Sequence, residues 1–147
     1  MEELKPPKPK ANLGRKRGEA QEKKKYSTAV KAKISAQRTS REQNKKITKA
    51  QRIMEAGDND GALKILNALR ASSKLSEYEQ QNVLNYLGFV YYNMEDYPRA
   101  MRAYEDMLKI PSIEEQMAKT TTYTLAQLNT MEENYTKAIS LIQRYFF

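Results

Sequence analysis

Three pairs of adjacent acidic residues, Glu105-Asp106, Glu114-Glu115 and Glu132-Glu133, are of the type from which general acid–base catalysis is often built. Nothing around them completes a reaction. The 147 residues include no His and no Cys, which removes the usual base near neutral pH, the Cys–His nucleophile pair, disulfides and Cys/His metal sites. The five glycines fall in no phosphate-cradling spacing. Acidic pairs are also favoured at helix ends by the helix dipole, with no reaction to perform. The sequence therefore predicts a protein that is not an enzyme and has neither a metal site nor a cofactor.

The chemistry of recognition is better supplied. Asn82, Asn85, Phe89 and Tyr92 recur at i, i+3, i+7 and i+10, so on a helix they share one stripe. Aromatic rings bury much area for few lost rotamers, and amides both donate and accept hydrogen bonds. Tyr91 and Tyr104 also sit at helical spacing but off that stripe, and read as core.

Such a stripe needs helices, and their punctuation is visible. One phrase recurs every 38 residues: Asp58-Asn59-Asp60-Gly61-Ala62, Asp96-Tyr97-Pro98-Arg99-Ala100 and Asn134-Tyr135-Thr136-Lys137-Ala138. A period of roughly 20–50 residues marks a stacked repeat protein. Helices are predicted over 41–56, closed by Gly57, and over 60–72. Ser76-Glu77-Tyr78-Glu79 reads as a capping box opening a helix to about residue 93. The next runs over 97–109, with Pro98 in its first turn and Pro111 as its stop. Ser112-Ile113-Glu114-Glu115 reads as a second capping box, opening a helix to 131, and the last helix runs from 134 to the end. No strand pattern intervenes, no run reaches the ~18 apolar residues that cross a bilayer, and the first thirty residues lack the apolar core of a secretory signal.

Charge is partitioned. Residues 1–40 hold 12 Lys/Arg against 4 Glu, with three prolines and few apolar residues, whereas 41–147 hold 14 of each sign. The segment 1–40 is read as a disordered basic arm, because it buries too little to offset its ordering entropy. Its single aromatic, Tyr26, argues against a base-stacking platform.

The central unit carries a family resemblance. Leu84-x-x-Leu87-Gly88-x-x-Tyr91, then Ala100-x-x-x-Tyr104, then Pro111 resembles the tetratricopeptide repeat, with Leu84 standing for Trp and Tyr104 for Phe. Gly88 and Ala100 are the small residues that let two antiparallel helices approach. The third unit keeps Leu125, Ala126 and Ala138 but has Thr122 and Asn129 where bulk is expected. The first unit keeps Ala50, Ile53, Ala62, Leu66 and Leu69 but has Lys46 and Lys49 at bulky sites, as suits an end unit. The fold this implies is all-α: a helical-hairpin solenoid over 41–147, with units at about 43–76, 81–114 and 119–147.

In that family the stripe of each first helix lines a concave groove. The resemblance therefore implies a groove made by Asn82, Asn85, Phe89 and Tyr92, joined by Asn44, Ile47, Gln51 and Met54 and by Thr120, Tyr123, Gln127 and Thr130. It implies a protein–protein scaffold, with a partner peptide or helix anchored on Phe89, Tyr92 and Tyr123 and bonded by Asn82, Asn85 and Gln127. Grouped basic residues that would clamp a terminal carboxylate are absent from those positions.

A narrower likeness rests on Gln37-Arg38-Thr39, Tyr91-Tyr92-x-x-Glu95-Asp96-Tyr97, Leu125-Ala126-Gln127-Leu128 and Glu133-Asn134-Tyr135. Together they resemble tetratricopeptide proteins of proteobacterial TonB-type energy-transduction systems, which implies a periplasmic or outer-membrane-associated scaffold made with an export signal that this sequence lacks; without that resemblance the expected compartment is the cytoplasm. Two further expectations concern partners. The terminal Tyr145-Phe146-Phe147 is apolar and uncapped, which predicts self-association or a further helix. The alternative function is an RNA- or anionic-membrane-associated adaptor acting through the basic arm.

Overall fold

In a computed structural model of the chain, the backbone of residues 13–147 is described, with side chains from Ser27 onward except Phe146. Six helices and no strand occur among the described residues: α1 (Leu13–Glu55), α2 (Asn59–Arg70), α3 (Glu77–Asn93), α4 (Tyr97–Leu108), α5 (Glu115–Met131) and α6 (Tyr135–Phe146). The chain divides into two compact units, one ending at Arg38 and one spanning Thr39–Phe147.

The largest departure from the sequence reading is α1. A helix was expected from about Arg41, behind a disordered arm, yet it begins at Leu13. Residues 1–12, with the three prolines of the arm, lie outside the described residues. Low apolar content measures the inability to build a core, not the inability to form a helix. Of the 28 residues 13–40, 18 are Ala, Leu, Lys, Arg, Glu or Gln, all good helix formers, and none is Pro. The helix also continues into Gln43, Ile47 and Ala50, which are buried, so the cost of nucleation falls where tertiary packing offsets it.

From α2 onward, close backbone approaches run between helices adjacent in sequence: α2 on α3, α3 on α4, α4 on α5 and α5 on α6. The junctions at the ends of α1, α3 and α5 have one geometry, repeated at 38 residues. Gly57, Glu95 and Glu133 take left-handed φ values of 85°, 59° and 62°. The amides of Asp58, Asp96 and Asn134 then donate to the carbonyls of Ile53, Tyr91 and Asn129, five residues back, at 3.1, 2.9 and 2.7 Å. This is the Schellman closure, and the residue that completes it also caps the next helix. Asp58 and Asp96 accept at Oδ1 from the amides of Gly61 and Arg99, at 2.9 and 3.3 Å. Asn134 makes no such side-chain bond.

One hydrophobic cluster runs from Ile47 on α1 to Leu141 on α6. Leu84, Leu87, Gly88, Tyr91, Ala100, Tyr104, Leu125, Ala126 and Ala138 are all buried. Gly88 has a steric reason: a Cβ there would lie 2.5 Å from the Tyr104 ring. Thr122 and Asn129 are buried in place of bulk, and each donates to its own helix, while Asn129 Oδ1 stays buried without a hydrogen-bond partner. Thr122 Oγ1 donates to the Ala118 carbonyl and Asn129 Nδ2 to the Leu125 carbonyl, both at 2.8 Å.

The two expected capping boxes differ in outcome. Ser76 Oγ accepts from the Glu79 amide at 3.1 Å, but the Glu79 carboxylate turns to Ser40, whose Oγ donates to Oε1 at 3.1 Å. Ser112 caps nothing. Its hydroxyl donates to Glu77, and α5 begins only after Glu114, which makes no side-chain cap bond.

Candidate functional site

The orientation of α3 is set by what it buries. Val83, Leu84, Leu87, Gly88, Val90 and Tyr91 face the core. A helix with that face inward must turn Asn82, Asn85, Phe89 and Tyr92 the other way. Phe89 is 48% exposed and Tyr92 44%, while Asn82 and Asn85 are half-buried. On α5, Leu125, Ala126, Leu128 and Asn129 are buried, Tyr123 is 46% exposed and Gln127 is exposed. Three large aromatic side chains on two first helices are thus half in water.

Each ring of the stripe except Phe89 has an aromatic neighbour. Tyr92 lies against Tyr97 with centroids 5.7 Å apart, and Tyr123 against Tyr145 at the same separation. Tyr145, expected at an open end, is half-buried on Tyr123 instead. Desolvation, then the Glu95 carboxylate, the Tyr92 phenol and Glu132, push the Tyr97 hydroxyl above its ordinary value. Burial, then Tyr92, does the same to Tyr104. Among the described residues no ring contact or hydrogen bond joins Phe89 and Tyr92 to Tyr123 and Gln127; what the two groups share is stripe position and exposure.

The first unit contributes less than expected. Ile47 is buried in the core rather than offered on a stripe, because α1 turns it toward the hydrophobic cluster. Met54 is half-buried against the same cluster. Gln51 Nε2 donates to Glu55 Oε1 at 3.1 Å. The hydroxyls of Thr120 and Thr130 already donate to carbonyls four residues back, at 2.9 Å each.

Two of the three acidic pairs take part in ion pairs. Glu105 Oε1 accepts from Lys137 Nζ at 2.6 Å, joining α4 to α6. Asp106 pairs with Arg70, joining α4 to α2, and lies 3.4 Å from Lys109. Glu115 pairs with Lys119 at 3.4 Å. Among the described residues no group of three or more His, Cys, Asp or Glu side chains could hold a metal ion, and no helix is long and apolar enough to cross a membrane.

Sequence reasoning missed a basic cavity between α1 and α2, lined by Lys46, Lys49 and Lys64 with the buried Gln43. The signal was present: Lys46 and Lys49 occupy positions that the other units fill with buried side chains. It also missed the buried Glu79 and Gln81, at 4% and 6% exposure. No protein-family model, curated protein or solved structure matches this chain.

Proposed function

We propose that residues 41–147 form a tetratricopeptide-like solenoid acting as a non-catalytic scaffold, with a partner peptide or helix held on the stripe of Asn82, Asn85, Phe89, Tyr92, Tyr123 and Gln127. Four observations support the solenoid. The helix junctions share one geometry at a 38-residue period. Small residues sit at the crossings, a single core cluster runs through the units, and ion pairs link α2 to α4 and α4 to α6. The TonB-type resemblance points to an envelope energy-transduction system as the setting.

The observation that carries the functional reading is the sorting of aromatics. Tyr91 and Tyr104 are 9% and 8% exposed, whereas Phe89, Tyr92 and Tyr123 are 44–48% exposed on the stripe. Exposed rings beside amides are what a buried anchor site offers before its partner arrives. Replacing Phe89 or Tyr92 by Ala is expected to cost ~1–3 kcal/mol of partner affinity with helix content unchanged. Replacing Leu87 by Ala is expected instead to cost ~2–5 kcal/mol of stability. Equal partner affinity in wild type, Phe89→Ala and Tyr92→Ala would remove the stripe from the binding site.

A second reading is favoured by α1. That helix carries 14 Lys/Arg against 4 Glu, while residues 56–147 carry 9 against 12 Asp/Glu. So uneven a helix supports the adaptor that binds RNA or anionic membrane through its basic segment. Binding of that kind collapses between low and moderate salt; binding on the neutral stripe does not.

A further inference from the structure

The cavity between α1 and α2 has a use that the stripe does not supply. Its volume is about 370 Å³. Lys46 and Lys49 reach it from α1 and Lys64 from α2, above a floor that includes Ile65 and Leu69. In the 38-residue register, Lys46 corresponds to Leu84 and Thr122, and Lys49 to Leu87 and Leu125. All four of those counterparts are buried, so the first pair places ammonium groups where the other two pairs place packing.

None of the three lysines takes part in a salt bridge with a described residue, and no carboxylate lines the cavity. Like charges gathered without a counter-ion repel, and a bound anion relieves all three at once. Gln43 lies at the wall, 5% exposed, with Oε1 lacking a hydrogen-bond partner. The side-chain amide of Gln43 also carries an NH₂ donor at this wall. Floor and rim thus ask for different parts of one ligand.

We infer that this cavity binds a small amphipathic anion, a carboxylate head on a short aliphatic chain. The head is held by Lys46, Lys49 and Lys64, with Gln43 donating. The chain lies on Ile65 and Leu69. The site is separate from the proposed partner stripe and does not depend on it.

The test is a titration of the full chain with hexanoate, followed by backbone amide NMR, with acetate as head alone and 1-hexanol as tail alone. Hexanoate is expected to shift the amides of Gln43, Lys46, Lys49 and residues 64–69 saturably, with acetate and hexanol at least tenfold weaker. The triple variant Lys46→Gln, Lys49→Gln, Lys64→Gln is expected to lose at least tenfold in hexanoate affinity. Its circular dichroism should stay unchanged, because the three side chains are exposed. Lys119→Gln, on α5, and Phe89→Ala are expected to bind hexanoate as wild type does. Hexanoate acting no better than acetate, or the triple variant binding as wild type, overturns the inference and leaves the lysines as a solvated edge.

Discussion

At the scale of single residues, Gly88 shows how two opposed effects are weighed. Ala in its place gains about 1 kcal/mol of helix propensity. It also sets a Cβ 2.5 Å from the ring of Tyr104, itself 8% exposed and hemmed in by the core. Overpacking of that kind costs about 1–3 kcal/mol, so Gly88→Ala is expected to lower the melting temperature, and Gly88→Ala with Tyr104→Leu to recover part of the loss. Tyr104 supplies a second prediction. Burial raises its folded-state pKa above the unfolded value of about 10. Its contribution to stability is therefore complete below about pH 10 and is lost as pH rises, since the unfolded chain then releases the proton first. Urea midpoints measured from pH 8 to 11 should fall, and Tyr104→Phe should flatten that fall. The packing residues were legible in the sequence because small and bulky types alternate at helical spacing. Thr122 and Asn129 were not, since a polar side chain that donates to its own helix can occupy a core position that composition assigns to bulk.

At the scale of elements, five of the six helices start and stop within about three residues of where their punctuation places them. The exception shows what punctuation lacks. Nothing in residues 13–40 says stop, and the absence of a core-forming pattern does not itself prevent a helix. The second capping box failed because the helix opens two residues later, after Glu114, so that no amide of its first turn reaches Ser112, whose hydroxyl donates to Glu77, 35 residues away in sequence. The junctions yield the prediction at this scale. Glu95 and Glu133 hold φ values of 59° and 62°, where the first junction has Gly57. A left-handed non-glycine residue costs roughly 1–2 kcal/mol, partly offset by the greater freedom of glycine in the unfolded chain. Glu95→Gly and Glu133→Gly are each expected to raise the unfolding midpoint, by up to about 1 kcal/mol of stability. A fall in both would mean that these carboxylates hold their junctions in some other way.

At the scale of the whole molecule, the sequence placed positive charge in 1–40 and left 41–147 neutral. The helix boundaries redraw that division, because the positive charge belongs to α1 through Glu55 and the remainder is mildly acidic. Two separate chemistries follow: a neutral aromatic stripe on α3 and α5, and a basic helix. The stripe was legible as a period, whereas the lysine cavity needs two helices side by side, and Lys46 and Lys49 at packing positions are a partial signature of it. The proposed function places the partner on the stripe. The most direct measurement places a photo-crosslinking amino acid at Phe89, at Tyr123 and at the exposed Ala32 of α1 in the full chain, and maps the products at low and moderate salt. Partner adducts are expected from positions 89 and 123 at both salt concentrations, lost when Tyr92 is also changed to Ala. Adducts from position 32 alone, vanishing at moderate salt, would contradict that placement and assign binding to the basic helix.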